Sequence, residues 1–119
     1  MKRPVVAWFE VMGKDGPRLQ QFYSDLFDWK IQDVGDGYGT VDASEKGIGG
    51  GIGRSQDGGP GHVTFYVEVD DPTAYLNKVE KLGGRRISPP VTLEQFGLTF
   101  AFFADPEGHI VGLSKGAVR

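Results

Sequence analysis

Two histidines and no cysteine restrict the chemistry open to this chain. Without a thiol, disulfides, thiolate metal sites and a Cys nucleophile are all excluded. The strand-like segments leave His62 and Glu10 as a candidate general base and its orienting carboxylate, with Tyr66 able to donate a hydrogen bond to an oxyanion. No nucleophile elbow or Ser-His-Asp arrangement is visible. Glu68 shares a strand face with His62 but lies six residues along, about 20 Å at strand rise, too far to act with it. His109 stands beside a turn and reads as a surface residue.

Alternation assigns these residues to faces. On the first strand Val5, Ala7, Phe9 and Val11 point one way, and Val6, Trp8 and Glu10 the other. From His62 to Val69 the apolar face is Val63, Phe65, Val67 and Val69, opposite His62, Thr64, Tyr66 and Glu68. The expected ligand-facing set is therefore Val6, Trp8, Glu10, His62, Thr64 and Tyr66, with Ile110 at its margin. Aromatic rings with a few polar groups are the usual lining of a small-ligand pocket, and Trp8 and Tyr66 can stack on a planar ligand. The same rings equally suit a packed core, and both readings stand. The run from Gly47 to Gly53 lacks a dinucleotide fingerprint and the Lys-Ser or Lys-Thr of a phosphate loop. Its alternate glycines would leave one strand face smooth. That suits a pocket floor or, on a long flexible edge strand, pairing with another subunit.

The elements that must position these groups repeat. Val5–Val11 reads as a strand, Met12–Pro17 as a turn with Asp15 as cap, and Pro17–Phe27 as a helix carrying Leu19, Phe22, Tyr23, Leu26 and Phe27 on one face. Strands follow at Trp29–Val34, Tyr38–Ala43 and Ile48–Arg54. After a Gly- and Pro-bearing linker the pattern restarts: strand His62–Val69, helix Thr73–Leu82, and strands Arg86–Ser88, Leu98–Ala104 and His109–Ser114. Pro17 to Pro72 and Phe27 to Leu82 are both 55 positions apart, as an internal duplication requires. We expect one α+β domain over 1–119, with modules at about 4–54 and 61–116 and a linker at 55–60.

The totals agree with one small domain. The 119 residues are 39% hydrophobic and 24% charged, which is neither a disordered nor a membrane composition. A net charge of −3 without a basic stripe argues against nucleic acid as a partner. No apolar run reaches the length of a membrane span, and no signal peptide opens the chain, so the cytoplasm is the expected location.

Phe22-Tyr23 followed by Leu26-Phe27-Asp28-Trp29, the turn Phe103 to His109, and the stretch His62 to Pro72 together resemble the glyoxalase / bleomycin-resistance / extradiol-dioxygenase superfamily, the vicinal oxygen chelate proteins. The resemblance spans about Val5 to Lys115. It implies two βαβββ modules in tandem, a curved mixed sheet around a cleft, and often a homodimer. It also implies a divalent metal held by a His on the first strand, a His opening the second module and a Glu on the last strand. Of these positions His62 matches, Trp8 or Val6 occupies the first, and Gly112 the third. One ligand in three is too few for a stable site. Asp28 stands where a glycine commonly ends the first helix, so the turn there is expected to be strained or differently shaped.

The expectation is a metal-free protein that sequesters or senses a small organic ligand, aromatic ones included, through Trp8, Glu10, His62, Thr64 and Tyr66. The alternative is a metal-dependent lyase, isomerase or dioxygenase that uses His62 and Glu10.

Overall fold

The first helix begins at a cap. Asp15 Oδ1 accepts the backbone N–H of Arg18 at 3.1 Å, and Pro17 sits in the first turn, where its missing N–H costs nothing. Asp71 does the same for the second helix by accepting from Ala74 N at 3.2 Å, with Pro72 following it. These local signals fix both helices to within a residue of their expected starts.

The computed structural model describes residues 3–44 and 46–116. Its elements run β1 (Val5–Gly13), α1 (Gly16–Phe27), β2 (Ile31–Asp33), β3 (Tyr38–Val41), β4 (Gly49–Arg54) and β5 (His62–Glu68). Then come α2 (Pro72–Lys81), β6 (Arg85–Arg86), β7 (Val91–Leu93), a 3-10 turn at Glu94–Phe96, β8 (Leu98–Ala104) and β9 (Ile110–Lys115). The fold is α+β and consists of two tandem strand–helix–strands modules. The second carries one strand more than expected. Val91-Thr-Leu after Pro89-Pro90 is too short to show a period, yet its residues pair antiparallel with Leu98–Phe100.

The described residues form two compact units, one within Trp8–Val63 and the other made of residues 3–7 and 64–116. In the Trp8–Val63 unit the strand order is β2-β3-β4-β1, with β1 parallel to β4 and the other pairings antiparallel. β4 is thus paired on both sides and its glycines are buried. It is not the long flexible edge strand of the pairing reading, which stood beside the pocket-floor one. The helix face of this unit is aromatic: Trp29 packs against Phe9, Phe27 and Tyr23 with ring centroids 5.6, 4.9 and 6.2 Å away. Trp29 gets there because Asp28 takes the left-handed conformation (φ 59°, ψ 31°) that reverses the chain after α1. The turn therefore has the shape a glycine would give it, made by a residue with a side chain.

In the other unit β5 runs parallel to β9, which pairs antiparallel with β8; β6 and β7 both pair with β8. Its core is Val69, Leu76, Ala101 and Leu113, flanked by Val67, Tyr75 and Phe103. No helix among the described residues is long and apolar enough to cross a membrane.

Left-handed backbone costs most L-residues about 1–2 kcal/mol, and Asp is one of the few that tolerate it. Asp28→Gly should therefore raise stability by about 0.5 kcal/mol, measured by urea unfolding, since glycine removes the strain but loses more chain entropy on folding. A loss of stability would mean that the Asp28 side chain contributes more than its backbone costs.

Candidate functional site

Three strands of the Trp8–Val63 unit bring one group of polar side chains together. β1 presents Trp8 and Glu10 on the face opposite Phe9. β4 lies beside it with Trp8 opposite Gly49 and Glu10 opposite Gly51. Beyond β4, β3 places Thr40 opposite Gly51 and Tyr38 opposite Gly53. Tyr38 therefore starts two strands away from Glu10, with Gly51 between them. A Cβ on Gly51 would overlap the Tyr38 ring and hydroxyl. The glycine is the path by which the tyrosine crosses β4.

Across that path the hydrogen bonds run in one direction. Trp8 Nε1–H donates to the Tyr38 hydroxyl at 3.0 Å, and the Tyr38 hydroxyl donates to Glu10 Oε2 at 2.8 Å. An indole N–H can only donate, so the tyrosine oxygen must accept it and its own proton must point to Glu10. The other carboxylate oxygen, Oε1, lies 2.8 Å from His62 Nε2. Glu10 is nearly buried, while the His62 side chain is 32% exposed. With Glu10 as a carboxylate, Nε2 is the donor, and the lone pair of a neutral imidazole falls on Nδ1.

The loop before β5 delivers His62 to this place. Ser55 N–H donates to Gly13 O at 2.8 Å and Ser55 Oγ to Gly59 O at 2.8 Å, which ties the loop to the end of β1. Gly61, at φ 79°, lies so close to the Met12 carbonyl that no side chain fits. Asp57 is in the same loop. Hydrogen bonds from Gly59 N–H and the Ser55 hydroxyl hold its carboxyl below the usual range, with a smaller contribution from His62 nearby. Burial, and then the negative charge of Glu10, push the Tyr38 phenol well above its usual 10.0.

The structure thus brings Trp8, Glu10 and His62 into one network. Thr64 and Tyr66 belong to the other unit: Thr64 Oγ1 donates to Ile110 O at 2.6 Å, and the Tyr66 ring lies over Gly112 with Phe102 at 5.5 Å. His109 is exposed and bonded through Nδ1 to Asp105 at 2.9 Å. Sequence reasoning missed Tyr38. The available signal was a tyrosine opening a strand whose neighbour carries alternate glycines. Nor is the glycine run an open groove: above it lie Tyr38 and Trp8, and below it, at Gly50, the Phe9 ring. An open depression of about 440 Å³ by Lys14, Arg18, Leu19, Phe22 and Tyr23 shares no residue with the network.

The donor set does not fit a resident divalent metal. Glu10 already accepts from Tyr38 and His62 through its two oxygens, and a side chain at Gly112 would run into the Tyr66 ring. Among the described residues no three His, Cys, Asp or Glu side chains gather as a metal site needs.

The class this architecture defines is the tandem βαβββ fold of the vicinal oxygen chelate superfamily. Residues 9–113 match the family model described as a glyoxalase-like domain, and the chain belongs to that family. A glyoxylase-like domain-containing protein of Didymella fabae is 30% identical over 117 residues, covering 87% of this chain and 88% of its own. Among solved structures, a hypothetical protein from Bacillus halodurans superposes with a TM-score of 0.66 at 15% identity, over 99% of this chain and 98% of that one. A Streptomyces coelicolor methylmalonyl-CoA epimerase in complex with 2-nitronate-propionyl-CoA gives 0.64 at 13% identity, over 98% and 97%. The Mn(II)-bound glyoxalase from Novosphingobium aromaticivorans gives 0.62 at 14% identity, over 92% of this chain and 37% of its own. At these identities the structures share the fold.

The raised Tyr38 pKa has a consequence at high pH. The unfolded chain releases that proton near pH 10.0 and the folded chain keeps it, so above pH 10.0 the unfolded state binds fewer protons and stability falls as pH rises. The stabilisation is complete below that value. In urea unfolding between about pH 9 and about pH 11, Tyr38→Phe should show a shallower loss of stability than the wild type. Equal slopes would mean that Tyr38 ionises normally.

Proposed function

We propose that this chain binds a small organic molecule at the face carrying His62 and Glu10, without a resident metal, and so sequesters or senses that molecule. One observation carries the reading: a nearly buried carboxylate, held by donors on both oxygens, orients an imidazole that is itself one-third exposed. Polar groups fixed in that way set the orientation and specificity of a ligand. Of the two oxygens that a metal would need, one faces the imidazole and the other accepts from Tyr38. Trp8 and Tyr38 are the aromatic side chains tied to Glu10, and Thr64 and Tyr66 remain candidates for ligand contacts. The same reading takes the protein to be a cytoplasmic homodimer.

The test is thermal melting with Zn²⁺, Mn²⁺, Ni²⁺ and Fe²⁺, for the wild type and His62→Ala, beside titration of tryptophan fluorescence with aromatic compounds. A ligand specific for the native state adds about 2.7 kcal/mol at about 100 times its Kd, which a melt detects readily. We expect no metal to separate the two proteins, and at least one aromatic compound to quench saturably in the wild type alone. A metal that raises the midpoint of the wild type but not of the variant would replace this reading with a metal-dependent lyase, isomerase or dioxygenase.

A further inference from the structure

The two helices are each capped by an aspartate, yet they place their other charges in opposite ways. α2 ends on Lys78 and Lys81, as the negative end of a helix dipole favours. α1 is reversed. Arg18 stands in its first turn with Lys14 just ahead of the cap, and Asp25 and Asp28 stand at its end. Each charge therefore opposes the dipole of its own helix. Among the described residues none of these four side chains forms an ion pair.

The outer face of α1 is also apolar. Gln20 is tied to Ile52 O, and Tyr23 and Phe27 pack with Trp29, so these residues face the sheet. On the other side Phe22 and Leu26, one turn apart, are each 56% exposed. Asp15, Arg18, Leu19 and Phe22 line the open depression of about 440 Å³. Their spacing of i, i+3, i+4 and i+7 is that of a hole that receives one side chain from a facing helix. Leu26, on the same stripe, is a side chain of the kind that fills such a hole.

A hole and a knob on one helix, with opposite charges at its two ends, suit a second copy lying antiparallel. We propose that α1 pairs with the same helix of another copy across a twofold axis near Phe22. Each Leu26 then enters the partner's depression, and the two Phe22 rings meet on the axis. Asp25 and Asp28 come beside the partner's Arg18 and Lys14, so the charges that oppose the dipole of their own helix complement that of its neighbour. This deepens the homodimer part of the reading above and rests on it. A helix of 12 residues is about 18 Å long. The contact is therefore smaller than the ~800 Å² per partner of a standard interface, and the dimer exchanges, with a Kd on the order of tens of micromolar.

Sedimentation equilibrium from about 1 µM to about 1 mM brackets that Kd. Arg18→Glu sets like charges together twice across the axis, and so does Asp25→Lys; each should weaken the dimer about a hundredfold. Mixed in equal amounts, the two variants should associate about as tightly as the wild type, because each supplies the charge that the other lacks. Phe22→Ala should weaken the dimer about tenfold. Leu82→Glu, at the end of α2, should leave it unchanged. All these residues are exposed, and circular dichroism confirms the fold of each variant. A wild-type dimer that neither charge substitution weakens overturns the proposal and leaves the homodimer reading to another surface. A mixture of the two charge variants that stays monomeric also overturns it. If the wild type is monomeric over the whole range, both fail.

Discussion

A carboxylate placed inside a folded chain must be met by donors, and Glu10 sets that condition for the Trp8–Val63 unit. An unpaired charge at this depth would cost several kcal/mol. Two donors meet it, Tyr38 and His62, and each requires a particular piece of backbone. Tyr38 reaches Glu10 only if β1, β4 and β3 run side by side in the observed register and the residue between them has no side chain. His62 reaches it only if the loop from Ser55 passes against the end of β1, where Gly61 leaves room. Glycines weaken a strand because they lose more entropy and pack nothing. β4 tolerates them because it is paired on both sides and covered by rings that belong to its neighbours.

The same condition bears on the metal positions that the resemblance implies, since among the described residues no three His, Cys, Asp or Glu side chains gather as a metal site needs. A metal ligand must keep an oxygen or nitrogen available, and its supporting partners normally sit one step further out. Here the carboxylate is itself the supporting partner, and the imidazole is what it supports. Trp8, which with Val6 is one of the two residues where the resemblance would place a first histidine, feeds the chain of donors through its indole N–H. Gly112, where an acid is expected, gives its space to Tyr66. Both departures replace a ligand with a packing or hydrogen-bonding solution within one unit.

Much of the fold was legible because its signals are local. Asp15 with Pro17, Asp71 with Pro72 and the equal 55-residue spacing locate the helices and the repeat with no knowledge of tertiary contacts. Alternation put Trp8 with Glu10 on one face of β1 and identified His62, and the structure joins these three. What could not be read depends on distance. Tyr38 meets Glu10 across 28 positions of sequence, and a tyrosine at the start of a short strand looks like any packing residue. The glycine run shows that side chains are missing; it does not show what fills the space, so a buried central strand reads as an exposed one. Val91–Leu93 is a strand only because β8 lies next to it.

The network around Glu10 has a polarity as well as a set of contacts. In most buried polar networks hydroxyls can turn, and the pattern of donors and acceptors adjusts to what binds. Trp8 removes that freedom, because an N–H fixed at one end orders every proton as far as Glu10. Tyr38 cannot relieve the carboxylate by ionising, since burial and the charge of Glu10 both oppose it. The ordered chain of donors therefore ends on a carboxylate whose second oxygen stands 2.8 Å from the partly exposed His62 ring.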